Sequence, residues 1–239
     1  MSGYLVAIVF SRSASCFYKA AGEHPMKAEK ISEFTTHRLS IYLRCLAALD
    51  EEGVETISSK SLAERFNLNS AQIRKDLAYF GQFGVRGVGY PVRDLRRRIS
   101  NILGLDSLHK VCVIGGGNLG MALAEYGGFL QHGFSVVAVF ENSPAKIGTT
   151  WRNGVPVVSI GDLKETVRAR GIEMAMIAVP AAAAREVCER VFDAGIRAIL
   201  NFAPVRVVPR PGTKIQSIDL SISLEGLSFF LAGRATGTR

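Results

Sequence analysis

The first third of the chain shows helical apolar periodicity interrupted by turns. Between Glu33 and Glu52 apolar residues recur every three or four positions, which predicts an amphipathic helix that Gly53 ends. Two short helices are predicted over 60–66 and 71–80, and only a tight turn separates them. Helix, short turn and helix form the helix-turn-helix pattern, although an ordinary helical hairpin has the same pattern.

The predicted helices have candidate serine caps, and the glycines that follow them favour the helix-turn-helix alternative. Ser58 and Ser59 offer an N-cap for the first short helix, and Ser70 offers one for the second. Four glycines within 81–89 predict a β-hairpin wing whose backbone approaches another surface closely. The arginine run at 96–98 then opens a further predicted helix.

Positive charge is concentrated in the same part of the chain. The stretch 58–105 holds nine basic and three acidic residues, a net charge of 9 − 3 = +6. The whole chain of 239 residues has a net charge of +8, so the remainder is close to balanced. On the second short helix Gln72, Arg74 and Lys75 lie away from the apolar face, where they can meet base edges and phosphates. We therefore predict a winged helix-turn-helix domain over 26–105 that binds double-stranded DNA. The candidate DNA-binding residues are Ser70, Gln72, Arg74, Lys75, Arg86, Gly87 and Tyr90.

The second half of the chain has a different rhythm, in which short apolar runs alternate with helical segments. This alternation predicts βαβ units and a doubly wound parallel sheet of the Rossmann type over 106–218. A last apolar segment, 220–232, follows the completed sheet and is too apolar to lie alone on a surface. The predicted strands are 111–114, 135–140, 155–158, 174–179 and 198–202, and the helices between them are 121–131, 162–170 and 182–194.

Composition excludes several classes of protein. The four cysteines are scattered, which argues against a disulfide framework or a zinc site and suggests a reducing, cytoplasmic location. No apolar run approaches the roughly 18 residues of a membrane span. We predict no metal site and no membrane contact. Residues 1–25 are interpreted as an extension or a mis-assigned start, with Met26 as the genuine start.

A glycine motif gives the second half its candidate chemistry. Gly115, Gly117 and Gly120 follow a predicted strand and open a predicted helix, and Glu141 ends the next strand. This is the full context of the dinucleotide-binding fingerprint. The glycines permit the tight turn, the approach of the pyrophosphate and close helix packing, while the carboxylate accepts hydrogen bonds from the adenosine ribose.

Glu141 also selects the cofactor. A carboxylate repels the 2′-phosphate of NADP, and neither Asn142 nor Ser143 supplies an arginine to bind it, so NAD+ and NADH are the predicted cofactors. A coenzyme A domain remains an alternative. The predicted cofactor-binding residues are Gly115, Gly116, Gly117, Asn118, Leu119, Gly120, Glu141, Val179, Pro180, Asn201 and Phe202.

The chain lacks the equipment of a dehydrogenase. None of its four histidines is expected at the carboxyl edge of the sheet, and too little chain remains to build a substrate domain. A cofactor site without catalytic residues, joined to a DNA-binding domain, suggests that the nucleotide is a signal and that the chain is not an enzyme. An NAD-dependent oxidoreductase with an appended helical domain is the alternative.

Four segments together resemble the Rex family of redox-sensing repressors: 72–81, 84–90, the loop 115–120 and Asn-Phe-Ala-Pro-Val at 201–205. The resemblance implies a homodimer on a palindromic operator, with the recognition helix in the major groove and Arg86 in the minor groove. It implies release from DNA when NADH binds. It also implies that the segment 219–239 holds a helix exchanged between subunits.

The resemblance further implies three switch residues. Tyr126 and Asp219 correspond to residues that change partners between redox states, and Arg44 corresponds to a residue that Asp219 reaches across the dimer. The chain departs from the family pattern at two positions. Leu220 stands where other members have Phe against the nicotinamide, and Asn118 replaces an Arg of the glycine loop found in some members.

Overall fold

The computed structural model describes residues 32–85, 87–151 and 153–235. The predicted extension 1–25, the predicted start at Met26 and the candidate wing residue Arg86 lie outside these ranges. Within them, no helix is both long and apolar enough to cross a membrane.

The N-terminal part is a helical bundle with a small antiparallel ribbon, as the apolar periodicity predicts. Its apolar side chains, among them Leu39, Leu46, Ile73 and Leu95, are fully buried and form one core. The elements are α1 (Glu33–Glu51), β1 (Thr56–Ile57), α2 (Ser59–Phe66), α3 (Ser70–Tyr79), β2 (Tyr90–Pro91) and α4 (Val92–Ile102).

The turn between α2 and α3 depends on two asparagines. Asn67 ends α2 in the left-handed conformation, with φ 52°, which asparagine tolerates better than most residues. Asn69 has an extended backbone, and its side chain accepts a hydrogen bond of 3.0 Å from the backbone N–H of Gln72. The predicted cap Ser70 is therefore wrong: Ser70 is the first residue of α3, and Asn69 is the N-cap.

The predicted start of α4 is also wrong. The helix begins at Val92, and the arginines at 96–98 lie in its middle. Val92, Leu95 and Ile99 are fully buried, so the apolar face that packs α4 against α1 begins before the arginine run.

A β-hairpin follows α3 where the glycines predict a wing. Val85 bridges to Gly89, and β2 pairs antiparallel with β1, with Ile57 opposite Tyr90. Gly89 has φ 111°, and a Cβ there would collide with the carbonyl of Ile57. Only glycine therefore fits at this crossing of the two strands.

The C-terminal part is a six-stranded, fully parallel sheet in the order β5-β4-β3-β6-β7-β8, which is the Rossmann order. The strands are β3 (His109–Ile114), β4 (Phe134–Glu141), β5 (Val157–Ser159), β6 (Met174–Ile177), β7 (Ala198–Asn201) and β8 (Lys214–Ser217). The helices are α5 (Asn118–Glu125), α6 (Gly128–Gln131), α7 (Leu163–Arg170), α8 (Ala181–Asp193) and α9 (Leu220–Ala235), with a 3₁₀ turn at Ile160–Asp162.

Two features of this part differ from the sequence prediction. The sixth strand, β8, was not predicted. The single helix predicted over 121–131 is two helices, because Tyr126 has an extended backbone and Gly127 follows it. The apolar residues of α9 are exposed, Phe229 and Leu231 among them, so this chain alone does not cover them.

Candidate functional site

A cleft of about 450 Å³ lies at the carboxyl ends of β3, β4 and β6. Ligands bind at this edge of open parallel sheets, where the strand order reverses direction. The glycine loop forms one wall, and the loop from β6 into α8, which includes Val179 and Pro180, forms another.

The glycine loop is shaped by close backbone contacts. Gly115 has φ 103°, and a Cβ there would collide with the carbonyl of Ala178. A Cβ on Gly120 would overlap the carbonyl oxygen of Gly115, whereas one on Gly117 would meet nothing within 4 Å. Gly115 and Gly120 are therefore required by the fold, while the space beside Gly117 is open for a ligand.

Glu141 lies at the end of β4 and is bound by backbone N–H groups. Its Oε2 accepts from Gly116 at 3.0 Å, and its Oε1 accepts from Asn142 at 2.8 Å and Ser143 at 3.2 Å. Burial alone would raise the pKa of Glu141, but these donors and Lys146 lower it below its usual value. The carboxylate is therefore ionised at neutral pH.

Other residues of the cleft were missed by the sequence prediction. Lys146 donates to the carbonyl of Gly116 at 2.8 Å, and its Nζ lies 3.8 Å from Oε2 of Glu141. Ile160, Glu186 and Arg190 also line the cleft. Lys146 follows Glu141 by five residues and could have been suspected, but the residues of α8 enter only through the three-dimensional fold.

The remaining predicted cofactor residues do not line the cleft. Asn118 and Leu119 are the first residues of α5, which begins directly beyond the loop. Asn201 is fully buried at the end of β7, and its amide donates to the carbonyls of Ala203 and Val205 at 3.1 and 3.2 Å. Phe202 is partly buried and packs against the core cluster that contains Val113 and Met176.

A second groove lies between α3, the start of α2 and the wing. Arg74 lines it and donates to the hydroxyl of Ser59 at 3.0 Å, while Lys75 is exposed on α3. Gln72 donates to the buried carboxylate of Asp76 at 2.7 Å. Gly87, with φ 85°, and Tyr90 belong to the wing side of the groove.

The arginine run on α4 is partly neutralised by two aspartates, one of which also pairs with Arg93. Arg96 pairs with Asp50 at 2.7 Å, and Arg97 and Arg98 pair with Asp94 at 2.6 and 2.8 Å. These arginines therefore add less to a basic surface than their sequence suggests.

The predicted switch residues fall at two places. Arg44 on α1 and Tyr126 between α5 and α6 line one cavity of about 430 Å³, whose floor is the apolar face of β3, β6 and β7. Asp219 is exposed, precedes α9, and accepts a hydrogen bond of 2.9 Å from the backbone N–H of Ser221. It does not line that cavity.

The histidines and cysteines of the described residues lie outside the cofactor cleft. No metal-binding cluster occurs in the part of the chain that the structure describes. Among the described residues three free thiols are buried, and burial raises the pKa of Cys112 to about 12 and of Cys188 to about 11. These two thiols are protonated at neutral pH and therefore unreactive.

Comparison with known proteins finds a family for each part of the chain and relatives that match most of its length. A family described as a putative DNA-binding protein N-terminus matches residues 30–78, and one described as a CoA binding domain matches residues 106–205. The chain is 47% identical to the redox-sensing transcriptional repressor Rex of Desulfitobacterium hafniense, over 87% of this chain and 99% of that protein.

Solved structures agree with this relationship. RSP, a Rex-family repressor, superposes with a TM-score of 0.82 in its complex with NAD+ and operator DNA, at 33% identity over 86% of this chain and 94% of RSP. In its complex with NADH the TM-score is 0.77, at 31% identity over 87% of this chain and 97% of RSP. The chain therefore belongs to the Rex family of redox-sensing transcriptional repressors.

Proposed function

We propose that this chain is a transcriptional repressor that binds palindromic operator DNA as a homodimer and leaves it when NADH binds. The observation that carries the proposal is the pairing, in one chain, of two sites. One is a dinucleotide cleft with an ionised Glu141 at its ribose end. The other is a winged helix-turn-helix that presents Lys75 on its recognition helix. RSP, which has been solved in complex with NAD+ and operator DNA and in complex with NADH, supports the same assignment.

The cofactor would lie across the carboxyl edge of the sheet. The pyrophosphate would meet the open backbone at Gly117 and the start of α5, where free N–H groups favour an anion. The adenosine ribose would lie beside Glu141 and Lys146. When bound, the cofactor supplies a nicotinamide ring whose oxidised and reduced forms differ in charge and shape. The protein only has to distinguish these two forms.

The homodimer is supported by two surfaces that one chain leaves uncovered. The cavity holding Arg44 and Tyr126 has an apolar floor, and α9 exposes Leu224, Leu227 and Leu231. A partner's α9 in that cavity would bury both surfaces and would bring the partner's Asp219 towards Arg44 and Tyr126. Burying each such leucine contributes about 1.5–3 kcal/mol.

The proposed switch is a shift between two arrangements of the dimer. NADH can release the operator only by as much as it binds the DNA-incompetent arrangement more tightly, and about 1.4 kcal/mol of preference gives each factor of ten. We propose that Tyr126 and Asp219 exchange partners between these arrangements. Arg86, in the wing, remains the proposed minor-groove contact.

The deciding experiment measures anisotropy of a labelled palindromic duplex while NADH is titrated into a fixed excess of NAD+. We expect release to follow the NADH/NAD+ ratio. Equal effects of the two cofactors would overturn the proposal. Glu141→Arg is the matched variant: it should keep DNA binding but lose the response to NADH, because it places a cation where the ribose hydroxyls need an acceptor.

Two further measurements test the remaining parts. The double variant Leu224→Asp and Leu231→Asp should convert the dimer to a monomer, which light scattering measures. Both leucines are exposed in the single chain, so replacing them should not destabilise the fold of the monomer. An unchanged mass would contradict the exchange of α9. We also propose that the chain is not an enzyme, and steady oxidation of NADH with small carbonyl compounds would contradict that.

A further inference from the structure

The carboxylate of Glu141 occupies a complete anion site. Backbone N–H groups of Gly116, Asn142 and Ser143 donate to it at 3.0, 2.8 and 3.2 Å. The Lys146 ammonium lies 3.8 Å away. Three converging N–H groups and a cation form the arrangement by which proteins bind phosphate. Here the anion they hold is a side chain of the protein itself.

The position of this anion site matters for the choice of cofactor. It lies at the end of β4, where the adenosine ribose hydroxyls of a dinucleotide are bound in this fold. NADP(H) differs from NAD(H) only by a phosphate on the 2′-hydroxyl of that ribose. A phosphate ester of this kind carries about 1.5 to 2 negative charges at neutral pH.

We propose that Lys146 is a specificity-determining residue of this site, and that the groups around Glu141 form a 2′-phosphate site which Glu141 keeps closed. Glu141 excludes NADP(H) both by its charge and by occupying the donors that the phosphate needs. Lys146 supplies the charge that would hold the phosphate once the carboxylate is removed. The proposal rests on the assignment of this cleft to a dinucleotide.

The surroundings of Lys146 support this role. Its side chain is 46% exposed and donates to the carbonyl of the buried Gly116 at 2.8 Å, which holds the ammonium group over the loop and beside Glu141. Glu141 is only 11% exposed, so its carboxylate is enclosed by the donors. Shortening Glu141 to serine would free all three N–H groups and leave a small hydroxyl beside them.

The test is direct binding of NADH and NADPH, followed by nicotinamide fluorescence in the full-length protein. For the unaltered chain we expect NADH to bind much more tightly than NADPH. Glu141→Ser should strengthen NADPH binding by about tenfold or more and weaken NADH binding. Adding Lys146→Met to Glu141→Ser should remove most of that gain.

Lys110→Met in the Glu141→Ser background is the charge-matched control. Lys110 lies on β3 and donates to the carbonyl of Arg170, away from the cleft, so the NADPH gain should remain. If Glu141→Ser does not fold, Glu141→Gln keeps the shape of the side chain and removes the charge. A smaller gain in NADPH binding is expected there.

The absence of any gain of NADPH binding in either Glu141 variant would overturn the inference, and so would a gain that survives Lys146→Met. Both are distinct from failure of the proposed function, in which the unaltered chain would bind neither NADH nor NAD+. A gain that is lost equally with Lys110→Met would indicate only a change of net charge, and it would also overturn the role of Lys146.

Discussion

Arg38 on α1 donates two hydrogen bonds to Asp76 on α3, from Nε to Oδ2 at 2.6 Å and from Nη2 to Oδ1 at 2.7 Å. Asp76 is only 4% exposed, and the hydroxyl of Tyr42 and the amide of Gln72 donate to the same carboxylate at 2.9 and 2.7 Å. The proposed recognition helix is therefore fixed to α1 through one buried, fully hydrogen-bonded carboxylate.

Asp76→Asn should lower the free energy of unfolding of the N-terminal part by about 3 kcal/mol, because it leaves the charge of Arg38 without its partner. Asp94→Asn, which removes the partly exposed partner of Arg97 and Arg98, should cost less than about 1 kcal/mol. Urea unfolding followed by helix content measures both. Equal losses would contradict the special role of Asp76.

The same carboxylate makes the stability depend on pH. Burial alone would raise the pKa of Asp76, but hydrogen bonds from Arg38, Gln72 and Tyr42 lower it below its ordinary value. A lowered pKa in the folded state means that the stabilisation is present above about pH 4 and is lost as the pH falls through the folded pKa. The difference between the unaltered chain and Asp76→Asn should therefore shrink on acidification.

Apolar periodicity and local motifs predicted most of this fold. The helices around Leu46 and Ile73 were predictable because their buried residues recur at helical spacing. The glycine loop was predictable because its glycines have the spacing of the dinucleotide motif. The strand β8 was not, because Lys214–Ser217 has one partly buried apolar residue, Ile215, and gains its hydrogen bonds only beside β7.

The glycine loop and Glu141 were predictable because one sequence motif defines them. Gly115 to Gly120 and Glu141 belong to one βαβ unit, so their meeting follows from the motif. Arg190 on α8 is brought to the cleft by packing between distant segments, which no local pattern encodes. The neutralisation of Arg96 by Asp50 likewise depends on how α1 packs against α4.

His109 should give a second pH dependence, of the opposite sign. Its Nδ1 lies 2.8 Å from a carboxylate oxygen of Glu173, and its Nε2 lies 2.7 Å from the carbonyl of Gly104, so both nitrogens face acceptors. The bond to Glu173, and then the Gly104 carbonyl, raise the pKa of His109. A raised pKa means that the stabilisation is present below about pH 6.5 and is lost as the pH rises through the folded pKa.

Comparing His109→Gln with the unaltered chain tests this. The variant should be less stable at pH 6, by about 1–2 kcal/mol, and the difference should shrink towards pH 9. Thermal unfolding at several pH values measures it, and Glu173→Gln should remove the same pH dependence. A difference that stays constant over this range would contradict the shared proton.

Gly117→Ala and Gly120→Ala should have different effects. A methyl group at Gly120 would overlap the carbonyl oxygen of Gly115, so that variant should lose stability as well as NADH binding. A methyl group at Gly117 meets nothing within 4 Å, so that variant should stay folded but bind NADH at least tenfold more weakly, because the pyrophosphate needs this space. Circular dichroism and fluorescence titration distinguish the two, and NADH binding unchanged in Gly117→Ala would contradict the pyrophosphate position.

Lys75 is exposed on α3 and is the charge on that helix best placed to meet a phosphate, since Arg74 already donates to Ser59. A lysine that contacts a phosphate releases a counterion, so Lys75→Ala should reduce the slope of log affinity against log salt by about 0.9. It should weaken binding to operator and unrelated duplex DNA alike, because a phosphate contact carries no sequence information.

The matched control for Lys75 is Lys164→Ala, which removes another exposed lysine, from α7, and should leave the slope unchanged. Anisotropy at four salt concentrations gives both slopes. A loss confined to the operator, with the slope unaltered, would instead assign Lys75 to a base edge.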